Sequence, residues 1–176
     1  MTESGHSLPV PPLARLAGVI GRRERFRGDS AALDAGERAA LARLDPESPR
    51  PHQVGALARA LVLSDIATDE WQPETWQRWA LIANGIALAG HDPNQRLGAQ
   101  LARADVSESR VTRLLTARGD AFRQQIPRVL RLMASRSVAP NWQELGALIL
   151  ATDHDEERAE TQRLRIAGHY YTAVAR

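Results

Sequence analysis

Apolar side chains recur at three- and four-residue intervals along nearly the whole chain, and nowhere in the two-residue rhythm of a half-buried strand. Pro and Gly interrupt these runs at short spacing, so the pattern predicts a series of short helices and no sheet. A first helix is expected from about Pro11 to Gly21, with Pro in its first turn. The polar RRERFRGDS follows it. A second covers about Asp34 to Leu44 (DAGERAALARL), with Leu41 and Leu44 inward, and a third runs from about His52 to Ser64. The acidic DIATDE at 65–70 reads as a surface loop. The fourth, PETWQRWALIANGIALAG (73–90), is apolar on most sides, which marks it as central and buried.

HDPN at 91–94 is the candidate boundary between two helical halves. Beyond it come QRLGAQLARA (95–104) and SESRVTRLLTAR (107–118), the latter capped by Ser107. From Asp120 to about Ser135, Phe122, Ile126, Val129, Leu130 and Met133 make one buried stripe, with Arg123, Arg128 and Arg131 off it. Pro127 lies inside that pattern and predicts a kink. NWQELGALILA (141–151) and a helix from about Asp155 to the end complete the series. The expected fold is all-α, with about eight to nine helices, no sheet, and two small packed bundles at 1–92 and 93–176. The second bundle carries a basic face.

Composition narrows the function. With four Trp, two Tyr and two Phe, the core must be mostly Leu, Ala, Val and Ile. The absence of cysteine excludes disulfides, thiolate nucleophiles and thiolate-bound metals, and fits a reducing, cytoplasmic location. MTESGHSLPV lacks the charged and apolar regions of a signal peptide, and no apolar run is long enough for a bilayer, so no membrane association is expected. The tryptophans are expected in the core and at helix joints, with base stacking as the alternative.

All 23 basic residues are Arg. Each keeps its charge at any working pH and offers a planar fork for phosphate oxygens. The net charge of +2 hides a segregation. Between Gln95 and Gln143 nine arginines face three acids, and between Glu144 and Glu160 six acids face Arg158 alone. A one-signed surface on adjacent helices attracts phosphate without reading bases.

The motifs of chemistry are missing. There is no Walker loop, no G-x-G-x-x-G and no H-E-x-x-H. Asp153, His154 and Asp155 imitate a metal cluster, but successive residues on a helix diverge, and Glu156 and Glu157 read as an acidic helix start. No nucleophile has a base partner in the pattern. The expectation is a non-enzyme with no metal, cofactor or small-molecule substrate. LGAQLARADVSESRVTRLL (97–115) fits a helix-turn-helix with Ser109, Arg110 and Arg113 toward a major groove, although Asp105 stands in the turn where Gly is usual.

These segments together resemble the CasB family, the small subunit of the type I-E Cascade CRISPR surveillance complex. LGAQLARA, SESRVTRLLTAR, RVLRLMASRSVAPNW and LGALILATDHDEERAETQRLR follow the family's order, and DAGERAALARL resembles its N-terminal Gly-x-Arg-Ala-x-Leu-Arg-Arg segment. The likeness covers most of the chain from about Asp34. It implies two small helical bundles without enzymatic activity, present as two copies among the other Cascade subunits. Together they hold the R-loop formed by CRISPR RNA and target DNA, and its displaced strand.

By position, Arg43 matches the last Arg of the N-terminal motif, Arg110 a basic position opening the sixth helix, and Arg131 the Arg before the Trp joint. Arg118 and Arg123 flank another basic position; Arg128 and Arg136, on the same basic stretch, complete the expected nucleic-acid-binding set. The sequence departs from the family at Ala42, where an Arg is usual, and at Glu74, where basic residues sometimes open the fourth helix. Arg22, Arg23, Arg25 and Arg27 could compensate. The acidic 144–160 stretch is assigned to an interface with a second copy or a neighbour, or to solubility. Two other readings remain: a helix-turn-helix transcription regulator, and a purely structural helical adaptor whose arginines meet acidic protein partners.

Overall fold

The computed structural model describes residues 10–176; the expectation about a signal peptide falls mainly on residues 1–9, outside the described ones. Among the described residues nine helices form and no strand: α1 Pro12–Gly21, α2 Ala35–Ala42, α3 Pro51–Leu63, α4 Pro73–Ala89, α5 Leu97–Arg103, α6 Glu108–Thr116, α7 Gly119–Ser135, α8 Trp142–Ala151 and α9 Glu156–Val174. The fold is all-α.

Local chemistry sets the ends of several helices. Asp34 and Glu37 close a reciprocal capping box on α2, with Asp34 accepting from the Glu37 N–H at 2.7 Å and Glu37 accepting from the Asp34 N–H at 2.8 Å. Pro stands at the start of α1, α3 and α4, where its missing N–H costs no helical hydrogen bond. Ser107 departs from expectation. It occupies the N-cap position of α6, but its hydroxyl lies 3.2 Å from that of Ser109 and caps no backbone N–H. Helix α7 runs without a break through Pro127.

As the apolar pattern demands, α4 is central. Every residue from Trp79 to Ile86 is buried, and the helix packs on α1, α2, α7 and α8. The expected division after residue 92 falls in the loop between α4 and α5, yet one continuous apolar core runs from Leu16 to Tyr170 through both halves. The Pro-Asn-Trp joint ties them. Trp142 is fully buried; its indole N–H donates to the Gly90 carbonyl at 2.7 Å, and its backbone N–H donates to His91 Nδ1 at 3.1 Å. Burial holds His91 below its ordinary pKa, which keeps the ring neutral and able to accept. Buried Gln100 accepts from the Asn141 N–H at 2.6 Å and donates to the Asp92 carbonyl at 2.9 Å, satisfying both ends of its amide.

The other tryptophans also serve packing. Trp71 stacks on Trp79 with centroids 5.5 Å apart and meets Trp76 edge-on at 5.2 Å. None is among the large exposed side chains.

Candidate nucleic-acid interface

Helix α7 divides its faces cleanly. Phe122, Ile126, Val129, Leu130 and Met133 are buried, while Arg128 and Arg131 are exposed one turn apart on the opposite side. Helix α6 lies against it, burying Val111, Leu114 and Leu115 and leaving Arg110 and Arg113 in solvent. Their i, i+3 spacing puts them on one face. Between the two helices runs a groove of about 410 Å³ lined by Arg110, Arg113, Gln125, Arg128, Val129 and Leu132. Two arginines from α6 and one from α7 thus converge over an apolar floor of Val129 and Leu132. Among the described residues no carboxylate pairs with Arg110, Arg113, Arg128 or Arg131. Arg131 stands beside Arg128 on α7, outside the groove lining.

The remaining expected site residues sit elsewhere. Arg123 is on the other flank of α7, in a hollow shared with Asp45, Pro46, Glu47, Leu81, Gln124 and Pro127. There its guanidinium pairs with Asp120 and, at 3.9 Å, with Glu47. Arg118 stands at the N-cap position of α7 and pairs with Glu156 and Glu160 of α9 at 3.4 and 3.7 Å. It also donates to the carbonyls of Thr116 and Ala117 at 2.9 and 3.0 Å. Arg136 ends α7 and pairs with Asp105 at 3.1 Å. Arg43 ends α2; its side chain is exposed, and its carbonyl accepts from buried Gln53 at 2.9 Å. The structure therefore brings Arg110 and Arg128 together, adds Arg113, and keeps Arg43, Arg118, Arg123 and Arg136 outside that groove. Arg113 appeared in the sequence only through the helix-turn-helix pattern; its spacing from Arg110 was the signal for a shared face.

Much of the acidic 144–160 stretch is used inside the chain. Glu144 accepts from the Leu97 N–H at 2.6 Å, and Asp153 accepts from the Gly119 N–H at 2.8 Å. Glu156 bonds the buried guanidinium of Arg163 at 3.0 Å, which is the main reason its carboxyl titrates below the ordinary range. This acid network fastens α9 to the start of α7.

The Arg136–Asp105 pair is exposed on both sides, and an exposed ion pair is worth only about 0–1 kcal/mol. Asp105→Asn keeps a residue tolerant of the left-handed conformation found there (φ 55°) while releasing Arg136. It is expected to raise single-stranded DNA affinity about two- to fivefold at low salt, consistent with one weak pair lost. Glu157→Gln, which removes an exposed acid that forms no ion pair among the described residues, controls for net charge and is expected to change affinity less. Equal effects in a titration followed by fluorescence anisotropy would count against competition at Arg136.

What the fold and this surface define is an all-helical protein with a groove of fixed positive charge between two helices. Residues 37–171 match the family model of the CRISPR-associated protein Cse2, and the chain belongs to that family, CasB/Cse2 of the type I-E Cascade. Family membership makes it a structural subunit of a CRISPR Cascade assembly that associates with other Cascade components. No curated protein and no solved structure matches the chain. Among the described residues no helix is long and apolar enough to cross a membrane, and no three His, Cys, Asp or Glu side chains gather as a metal site.

Proposed function

We propose that the chain is a non-catalytic small subunit that binds nucleic-acid backbone without regard to sequence and so stabilises the R-loop and its displaced DNA strand. It does so beside a second copy of itself. The α6–α7 groove is the observation that carries this reading: three unpaired guanidinium groups converge from two helices over an apolar floor. Arg forks donate to any phosphate equally, so they fix a strand in place without specifying its bases. R-loop formation is a near-balanced exchange of one duplex for another, which backbone contacts of this kind can tip.

A regulator reading α6 into a major groove requires that helix to stand clear of the body. Here α6 packs against both α7 and α9, and Arg110 and Arg113 share their groove with Arg128. That favours a strand laid along the groove over a helix inserted into a duplex. Binding of the isolated protein to single-stranded oligonucleotides of two unrelated sequences separates the readings. Equal affinities are expected, with the groove alone contributing a slope of about −2 to −3 in log affinity against log salt, as its three to four released counterions require on single strands. A footprint on one defined duplex, or affinities differing by about a hundredfold between the two sequences, would reverse the choice.

A further inference from the structure

The segment between α1 and α2 carries a cluster that the groove does not use. Arg23, Arg25, Phe26 and Arg27 are all exposed, and Phe26, at 66 % exposure, projects a whole aromatic ring into solvent. Burying a ring of this size is normally a principal source of stability, so one held outward needs a reason. The loop beneath it is tightly held. Asp29 is buried and accepts from the Ala31 N–H at 3.0 Å and the Arg25 N–H at 3.3 Å, and its own N–H donates to the Phe26 carbonyl at 3.2 Å. Those backbone donors hold the Asp29 carboxyl below its ordinary pKa, so it stays ionised and keeps gripping the turn. Gly28 supplies the left-handed conformation, φ 84°, that the turn needs.

Two arginines anchor the loop from outside. Arg38 donates to the Arg22 carbonyl at 3.1 Å and the Leu33 carbonyl at 2.6 Å, and Arg59 donates to the Ala32 carbonyl at 3.0 Å. Both ends of the segment are thus fixed, and its tip presents Arg-x-Arg-Phe-Arg with Phe26 between Arg25 and Arg27. None of Arg23, Arg25 and Arg27 pairs with a carboxylate among the described residues, and Glu24 is the one acid interleaved with them. The family match begins at residue 37, so this cluster lies wholly outside it.

We propose that the 22–29 loop is a second nucleic-acid contact, in which Phe26 stacks on an unpaired base of a single strand while Arg23, Arg25 and Arg27 take the flanking phosphates. An aromatic face flanked by cations matches the two parts of a nucleotide, and stacking tolerates any base. A duplex keeps its bases stacked on each other and offers Phe26 nothing, so the loop selects displaced, single-stranded nucleic acid. A protein partner with an apolar socket is the other occupant such a ring could take, but three arginines around the ring favour a polyanion.

This inference rests on the nucleic-acid reading of the molecule, and the probes are chosen to keep the two apart. A 20-nucleotide oligothymidine and an abasic oligonucleotide of the same length are titrated into wild-type, Phe26→Ala and Phe26→Trp proteins. Phe26→Ala is expected to weaken oligothymidine binding about five- to 150-fold, the range for losing one stacked base. Abasic binding and the salt slope should stay unchanged, because no charge is lost, and Phe26→Trp should restore the affinity. If wild-type protein binds both probes and Phe26→Ala weakens them equally or not at all, the stacking role is overturned while the groove reading stands. If Phe26→Ala instead leaves both probes unaffected and abolishes co-purification with the other subunits, the loop is a protein anchor. If wild-type protein binds neither probe, both readings fail together.

Discussion

Replacing Arg110, Arg113 and Arg128 together with Ala is expected to lower affinity for single-stranded DNA by about two orders of magnitude at low salt. Each guanidinium on a phosphate is worth about 1 kcal/mol in a solvent-open groove, and about 1.4 kcal/mol is a factor of ten. The salt slope should become shallower by about 2, since about 0.7 of a counterion is released per single-strand phosphate. The protein should remain folded. All three side chains are exposed, and none forms an ion pair or a hydrogen bond to a described residue through its guanidinium, so thermal unfolding should shift by no more than a few degrees. Single substitutions make a poor test, because two remaining forks hold the strand. Unchanged affinity in the triple variant, measured by anisotropy across salt, would mean that the groove is not where the strand lies.

Gly98→Ala is expected to destabilise the fold strongly. Gly98 lies on α5 where that helix meets α9, and a Cβ there would stand 2.2 Å from the Ile166 carbonyl oxygen and 2.5 Å from the Tyr170 nitrogen. Both are backbone atoms of a helix and cannot swing aside as a side-chain tip does. Helices α5 and α9 must therefore separate, which also pulls on Tyr170, whose hydroxyl donates to the Val106 carbonyl at 2.7 Å. Overpacking of this kind costs about 3 kcal/mol or more, which for a chain of this size lowers Tm by about 6–12 °C. Gly168→Ala, on α9 with nothing within 4 Å of the added carbon, is the matched control and should be neutral or slightly stabilising. A Gly98→Ala protein that unfolds with the wild type would show that α5 and α9 are not packed this closely.

The helices were legible because burial imposes a 3.6-residue rhythm, and α4 and α7 show it strongly. The site was less so. That Arg128 and Arg131 face away from the core follows from the α7 stripe alone. That Arg110 and Arg113 meet Arg128 across a groove depends on how α6 lies on α7, and no local pattern states that angle. Arg118 looked as free as Arg110 in the sequence. Its partners, Glu156 and Glu160, are some forty residues away and reach it only because α9 returns to the start of α7. The acidic 144–160 run likewise read as an outward surface, whereas Glu144 and Asp153 turn inward to the backbone N–H groups of Leu97 and Gly119. Ser107 makes no cap; its hydroxyl lies against that of Ser109 instead, a choice that residue type does not encode. Gly98 carried no signal; only the approach of a second helix gives its missing side chain a meaning.

The most direct measurement of the central claim is R-loop lifetime in the assembled, RNA-loaded complex, with the wild-type subunit or the Arg110→Ala, Arg113→Ala, Arg128→Ala, Arg131→Ala variant. With equal incorporation of the two proteins, the variant R-loop is expected to collapse at least about tenfold faster, and the gap should narrow as salt rises and screens the wild-type contacts. Identical lifetimes at low salt, with the variant fully incorporated, would contradict the account and leave these arginines without a role in holding the strands.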